Sequence, residues 1–165
     1  MAVEDALKRV IEQEATLVFE RFDEDVAFEL GGLIRQAGKA LNRGGIATGV
    51  YTFERTLFYG ATAGATEFNR GWIERKLGLV KLMLKSSYRV VLERGDKPRI
   101  EPGWAIDPSS YAIAGGAFPI NVKGVGIVGA AVASGLHERL DHEIVRASVA
   151  KLLGKGEDHL ALPTA

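Results

Sequence analysis

Two adjacent cations, Arg75 and Lys76, are the residues best placed by their spacing to bind a small ligand. A helix predicted over residues 69–85 turns about 100° per residue, which puts both on the side that its apolar residues predict to be covered, near Trp72. A covered cation needs a negative partner, because its desolvation otherwise costs several kcal/mol. The pattern therefore indicates an anion pocket for a carboxylate or phosphate, walled by Trp72. An internal salt bridge, a subunit contact or side chains that reach back to water are the alternatives.

The paired glycines Gly115 and Gly116, followed by Pro119, form a second candidate. Adjacent glycines permit positive φ and let another backbone or a ligand come close. Their free amides could hold an anion or a carbonyl group. A β-bulge that bends the strand is the alternative interpretation.

The run Asp141-His142-Glu143 lies in a predicted helix over residues 138–153, with His142 at the border of its buried face. His142 could bind a metal or haem iron, or carry a proton near neutral pH. A single histidine beside carboxylates is a poor metal signature, and a structural histidine is the alternative. We predict no metal site.

Haem iron has two candidate histidine ligands in this sequence, His142 and His137, the second at a strand–helix junction. The remaining histidine, His159, falls in the C-terminal tail and is discounted. Haem is therefore a candidate cofactor, with His137 and His142 as its candidate ligands.

No catalytic residue is predicted. The chain has no cysteine, which excludes thiol nucleophiles, disulfides and zinc–thiolate sites. Ser134-Gly135 lacks the flanking glycines of a nucleophile elbow, and Ser86-Ser87 has no base nearby in sequence. Carboxylate pairs on helix ends are interpreted as solvated: Glu12 with Glu14, and Glu24 with Asp25.

The composition is that of an ordinary globular protein of 165 residues, 47% apolar and 25% charged. The 21 basic residues equal the 21 acidic ones, so nothing favours nucleic acid as a partner. No apolar run approaches the roughly 20 residues that cross a bilayer. The N-terminus has the pattern of an amphipathic helix rather than a signal peptide, so we expect a cytoplasmic protein without a membrane partner.

Hydrophobic periodicity predicts an α+β domain. Helices are expected near the N-terminus and over residues 24–42, 69–85 and 138–153, with 86–94 continuing the third after a break. Strands are expected over residues 17–22, 46–53, 56–63, 111–122 with a break at the paired glycines, and 125–134. The last strand carries no charge on either face, which is typical of a central strand covered on both sides. Residues 95–110, with Pro98, are expected to form a loop. No βαβ repeat or phosphate loop supports a nucleotide-binding fold.

The stretch AGGAFPINVKGVGIVGAAVASG at 114–135, with NRGWIERKLGLV at 69–80 and SSY at 86–88, resembles the GlcG/HbpS-like family, also called the haem-degrading-domain family. These stretches are most similar to a cytosolic branch of that group, over about residues 10–153. The resemblance implies a profilin-like fold, with a five-stranded antiparallel sheet between helices, and homo-oligomers. It also implies that haem or corrinoid-related molecules are plausible ligands, since some relatives bind them.

The sequence therefore predicts one domain over residues 1–165, with its core at about 10–153 and a frayed tail from Gly154. The leading hypothesis is a non-catalytic protein that binds a small ligand or cofactor, with haem or another anion as candidates, and that assembles with copies of itself. An enzyme of haem or tetrapyrrole turnover and an oligomeric adaptor or assembly protein are the alternatives. The predicted ligand-binding residues are Trp72, Arg75, Lys76, Gly115, Gly116 and His142.

Overall fold

A computed structural model describes residues 2–96 and 99–164, apart from the side chain of Glu157. Pro98, in the predicted loop, lies outside the described residues. The helices are α1 (Ala2–Thr16), α2 (Glu24–Ala40), α3 (Glu67–Met83), α4 (Ser87–Arg94), α5 (Glu138–Leu153) and α6 (Glu157–Leu160). The strands are β1 (Ala47–Thr52), β2 (Thr56–Ala61), β3 (Ala117–Val122) and β4 (Gly126–Ser134). None of the helices described here is long and apolar enough to span a membrane.

The described part of the chain forms one antiparallel sheet of four strands in the order β2-β1-β4-β3, and the prediction of five strands is wrong. The predicted strand at 17–22 makes one parallel bridge, from Phe19 to Val122. Its neighbours explain why it stops there. Leu17 still donates its amide to Gln13 at the end of α1 (2.9 Å), and Asp23 already caps α2. Too few residues remain between the two helices for a ladder.

Residues 111–114, predicted to begin a strand, have no regular secondary structure and join no ladder. The amide of Ala112 donates to the carbonyl of Arg75 on α3 instead (3.2 Å). This bond holds the segment against a helix rather than against the sheet.

The ends of α3 follow from local chemistry. Thr66 caps the start of the helix, accepting from the amide of Phe68 (3.3 Å), while the Asn69 side chain accepts from the Thr66 amide (3.0 Å). The helix ends at Leu84, which has a left-handed backbone (φ +54°). The left-handed turn separates α3 from α4, so Ser87–Arg94 form a distinct helix with Ser86 at its N-cap.

The sheet is covered on both faces. Apolar residues of α2 and α5 pack on one face with Val50, Ala131 and Ala133, and those of α3 pack on the other with Ala130 and Val132. The prediction for β4 is confirmed, because this strand lies between β1 and β3 and its residues 129–134 are buried. Side chains of α3 and α5 meet across the end of β4.

The described residues of the C-terminal segment pack against α1 and α5, whereas the sequence pattern predicts a frayed tail. Leu160 is fully buried, and its carbonyl accepts from the side-chain amide of Gln13 on α1 (2.7 Å). Arg9 donates to the carbonyl of Ala161 (2.7 Å), and Arg139 to that of Pro163. These polar side chains attach the tail to α1 and α5.

Candidate functional site

Lys76 lies on the inner side of α3, as the helix pattern predicts, and is 3% exposed. Its ammonium donates to Oδ2 of Asp141 on α5 (3.1 Å) and to the carbonyl of Ala133 (3.0 Å). The other carboxylate oxygen of Asp141 accepts from the amide of Leu136 (3.1 Å). Lys76 therefore forms an internal salt bridge, which is one of the alternatives that its sequence position leaves open.

Burial changes the acidity of both partners in this pair. Desolvation lowers the pKa of the Lys76 ammonium below its ordinary value, and Asp141 opposes that shift. Desolvation likewise raises the pKa of Asp141, while Lys76 and the backbone donors oppose it. The pair has little charge left to offer an external anion.

The paired glycines make room for elements of the chain itself. Gly116 has φ +133°, and a Cβ there would lie 2.8 Å from the Lys76 ammonium and 2.5 Å from the Ala133 carbonyl. The amide of Gly115 donates to the carboxylate of Glu138 (3.1 Å). Both glycines precede β3, whose irregularity lies later, between Ile120 and Asn121. Their role in the fold is thus close approach to Lys76 and α5, rather than a bulge.

A first cleft of about 300 Å³ opens above the buried pair, between α3 and the turn from β4 to α5. Trp72 and the largely exposed Phe68 form its apolar side, with ring centroids 6.3 Å apart and planes at 88°. The floor carries Glu138 besides the compensated Lys76 and Asp141, so its charge does not favour an anion. The lining residues are Phe68, Asn69, Trp72, Lys76, Ala114, Ser134, Gly135, Leu136, Glu138 and Asp141.

A second cleft of about 340 Å³ shares Trp72 with the first as a lining residue. The Arg75 guanidinium lies 4.2 Å from the Trp72 ring centroid, and its Nε donates to the carbonyl of Gly71 (3.1 Å). Within the described residues, no carboxylate forms an ion pair with Arg75 or with Arg99, the other cation of this cleft. Its lining residues are Trp72, Arg75, Arg99, Ile100, Pro108, Tyr111, Ala112 and Ile113. The two clefts together are called the Trp72 groove below.

His142 lies outside the groove and is completely buried, not at the border of the buried face. It lies between the rings of Tyr88 and Phe118, with centroids 5.2 and 5.9 Å away. Its Nε2 bonds the side-chain oxygen of Gln13 (2.8 Å), and within the described residues Nδ1 has no hydrogen-bond partner. Desolvation lowers the pKa of His142 to about 4, so the ring is neutral at pH 7.

Neither of the other two histidines lines the groove. His137 is the N-cap of α5, where its Nδ1 accepts from the amide of Arg139 (3.3 Å). His159 lies in α6, which packs against α1. Across residues 2–96 and 99–164, no cluster of three or more histidine or carboxylate side chains is arranged to hold a metal ion.

Several residues of the groove are not predicted as ligand-binding residues from the sequence. Arg99 and Tyr111 lie in irregular segments, where no periodicity shows which way a side chain faces. Phe68 belongs to the first turn of α3, which begins two residues before the predicted start. The Thr66–Asn69 capping pair is the sequence signal that would have extended the helix to include it.

The Glu14 side chain is not solvated, contrary to the prediction from the sequence. Its carboxylate accepts from the amide (2.7 Å) and hydroxyl (2.9 Å) of Ser86 and from Arg89 (2.7 Å). These bonds join α1 to α4. Ser86 therefore does meet a carboxylate, though outside the Trp72 groove, whereas the Ser87 hydroxyl accepts from the amide of Ala117 (3.0 Å).

Comparisons with known proteins are consistent with this architecture. The sequence model of a protein family, the HbpS-like haem degrading proteins, matches residues 22–150 of this chain. A UPF0303 protein of Brucella melitensis is 43% identical over 161 residues, which cover 97% of this chain and 95% of that protein.

Three solved structures share the fold. The Ybr137w protein superposes with a TM-score of 0.80 at 23% identity, covering 93% of this chain and 95% of its own. HbpS gives 0.66 at 19% identity, with 81% and 91% covered. The PduOC:heme complex gives 0.60 at 13% identity, with 74% and 88% covered.

Proposed function

The chain belongs to the HbpS-like family of haem-degrading proteins, and we propose that it is a non-catalytic protein that binds a planar, anionic ligand of the tetrapyrrole class in the Trp72 groove. The observation that carries this proposal is an arginine without a carboxylate partner among the described residues, Arg75, stacked on the aromatic wall formed by Trp72. A tetrapyrrole presents a flat apolar body and carboxylate side chains, which match the ring and the guanidinium respectively. Haem, found in the PduOC:heme complex, is the candidate cofactor.

The aromatic side of the groove supports a flat ligand. Phe68 is 72% exposed although it lies beside Trp72, so apolar surface faces solvent at this position. Ligand sites typically combine apolar walls with a few polar groups that fix orientation. A flat ring placed against Phe68 and Trp72 would remove that apolar surface from water, at a gain of about 25 cal/mol per Å².

The polar lining fits the carboxylates of haem better than its iron. None of the three histidines lines the groove, and His142 is already bonded to Gln13. Recognition by the porphyrin body and its carboxylates, without a histidine on the iron, is therefore what we propose. Lys76 and Asp141 bind each other, which supports binding rather than proton-transfer chemistry at the groove floor.

Titration with hemin and with metal-free protoporphyrin IX tests this function. Both should bind with dissociation constants within about threefold of each other, because the iron has no histidine ligand. Trp72→Ala should weaken both by tenfold or more, whereas Trp104→Ala, which removes the tryptophan outside the groove, should not. Binding of hemin alone, abolished by His137→Gln, would contradict the proposal. Consumption of bound haem with a reductant and oxygen would favour the haem-degrading enzyme instead.

Self-association is part of the same proposal and is supported by an exposed phenylalanine that contacts a partly buried one on an edge strand. Phe28 on α2 is 70% exposed and lies 5.8 Å from Phe58 of β2, the strand at one edge of the sheet. Edge strands and apolar patches are usually covered in the working assembly. Native mass spectrometry should show a homo-oligomer that Phe28→Glu dissociates. A monomer that retains a different protein would favour the adaptor alternative.

A further inference from the structure

We propose that Arg75 and Arg99 form a clamp for carboxylate groups in the second cleft, and that this clamp gives the Trp72 groove its preference for anionic ligands. The inference rests on the proposed function, because it names the chemical group that one end of the groove holds. That group is a carboxylate, either on the side chain of a tetrapyrrole or on a small free acid.

Arg75 is held in a fixed position before any ligand arrives. Its guanidinium lies on the Trp72 ring (4.2 Å to the centroid), and its Nε is already bonded to the Gly71 carbonyl (3.1 Å). The two terminal nitrogens remain, and they form the fork that binds a carboxylate with two parallel hydrogen bonds. A donor fixed in this way loses little side-chain entropy on binding.

Arg70, on the same helix, is an arginine whose charge is compensated by a carboxylate of the chain. It also stacks on an aromatic ring, that of Tyr59 (4.0 Å), but its Nε lies 3.1 Å from the carboxylate of Glu67. Arg75 has the same stacking and no carboxylate partner among the described residues. The difference leaves Arg75 able to take a carboxylate from outside the chain, and it makes Arg70 a matched control.

In the second cleft, a backbone hydrogen bond links Arg75 to the 111–113 segment that lines the cleft. The amide of Ala112 donates to the main-chain carbonyl of Arg75 (3.2 Å), which holds the 111–113 segment beside the arginine. Tyr111 lines the cleft next to Pro108, and Arg99 supplies a second positive charge from the loop. Two cations above a partly apolar surface suit a ligand that carries a carboxylate next to an apolar body.

The first cleft carries less uncompensated positive charge than the second, and this difference determines the orientation in which an anionic ligand would bind. Its lysine is paired with Asp141, and Glu138 adds a further carboxylate to its lining. An anionic group is therefore favoured on the Arg75 side of Trp72 and disfavoured on the Lys76 side. The apolar part of a bound ligand then lies toward Phe68.

Three probes applied to four proteins test the clamp: protoporphyrin IX, its dimethyl ester and citrate, with wild type, Arg75→Gln, Arg99→Gln and Arg70→Gln. Protoporphyrin should bind about tenfold more weakly to each of the first two variants, which is the expected loss of one charged hydrogen-bonding group. The dimethyl ester, which has no free carboxylate, should bind wild type and all variants alike. Citrate should raise the melting temperature of wild type and of Arg70→Gln, and not that of the other two.

The outcomes separate the clamp from the proposed function. If protoporphyrin and its ester bind equally well and Arg75→Gln changes neither, the clamp is wrong, and only tetrapyrrole binding against the Trp72 ring stands. If neither porphyrin binds but citrate stabilises the protein through Arg75 and Arg99, the clamp stands and the tetrapyrrole function is wrong. If citrate and protoporphyrin respond equally to Arg70→Gln and Arg75→Gln, only general surface charge is involved and the clamp is overturned.

Discussion

Burying Lys76 beside Asp141 takes two charges out of water, and the fold compensates each of them with a fixed partner. The ammonium meets a carboxylate at 3.1 Å and a carbonyl at 3.0 Å, and a glycine at position 116 leaves room for it. Removing one partner of such a pair leaves the other charge buried and uncompensated. The stability of the groove floor therefore depends on both residues together.

Lys76→Met should destabilise the protein by about 3–5 kcal/mol, because it leaves Asp141 without its cation. The double variant with Asp141→Asn should recover more than half of that loss, since the amide oxygen can still accept from the Leu136 amide. Urea unfolding of the single and double variants measures this coupling. Strictly additive losses would contradict a direct interaction between the two side chains.

His142 should make stability depend on pH. Its pKa in the folded protein is lowered to about 4 from an ordinary 6.5, so the unfolded chain takes up a proton more readily as pH falls. Its contribution is complete above pH 6.5 and is lost at roughly 1.4 kcal/mol per pH unit between 6.5 and 4. The free energy of unfolding is measured from pH 7.5 to 4.5 for wild type and two variants. The His142→Gln variant should lose this pH-dependent component, and the His137→Gln variant should keep it. Equal slopes in all three proteins would contradict the assignment.

At the scale of residues, helical periodicity correctly places Lys76 on the buried side of α3, whereas Trp72 and Arg75 are only half-buried. It does not identify the partner of Lys76, because Asp141 is 65 positions away in sequence and comes close only in the folded chain. For the same reason, helical periodicity predicts the same covered environment for the adjacent cations Arg75 and Lys76. The structure gives one an internal carboxylate and leaves the other facing a cleft.

The α3 helix and the segment after β4 are the elements that build the groove. The capping residues of α3 start it early enough to bring Phe68 beside Trp72. The turn at Gly135 and Leu136 ends β4 and places Glu138 and Asp141 in the first turn of α5, opposite α3. The groove is therefore a seam between two helices at the end of a central strand.

The C-terminal segment is an element whose contribution can be measured directly. Leu160 is completely buried against α1 and α5, so Leu160→Ala should destabilise the protein by about 2–4 kcal/mol, mainly through the cavity it leaves. Leu84→Ala, at a position 55% exposed, is the control and should cost less than about 1 kcal/mol. Chemical denaturation compares the two. Equal small losses would show that the tail contributes little to the core.

Element types are well predicted from the sequence where long periodic runs exist, as in α2, α3, α5 and β4. Prediction fails at residues 17–22 and 111–114, because alternating or apolar residues there pack against helices without entering a ladder. The tail is missed because its partners, Arg9 and Gln13, lie about 150 residues upstream. Short segments thus owe their structure to contacts that local pattern does not contain.

For the molecule as a whole, the sheet with helices on both faces and the family both agree with the sequence motifs. The equal numbers of acidic and basic residues conceal an uneven distribution. Among the described residues, seven of the twelve arginines form ion pairs with carboxylates, whereas Arg75 and Arg99 share a cleft and have none. Net charge therefore says little about this groove, and the local pairing of charges decides which ligand it favours.

The central claim, that the Trp72 groove holds the ligand, is tested most directly by tryptophan fluorescence, because the chain has two tryptophans. In Trp104→Phe, all tryptophan emission comes from Trp72, and protoporphyrin IX should quench it strongly and saturably at one molecule per chain. In Trp72→Ala, which removes the proposed wall, quenching of the remaining Trp104 emission should need at least about tenfold more porphyrin. No quenching in Trp104→Phe, or an unchanged concentration dependence in Trp72→Ala, would contradict the account.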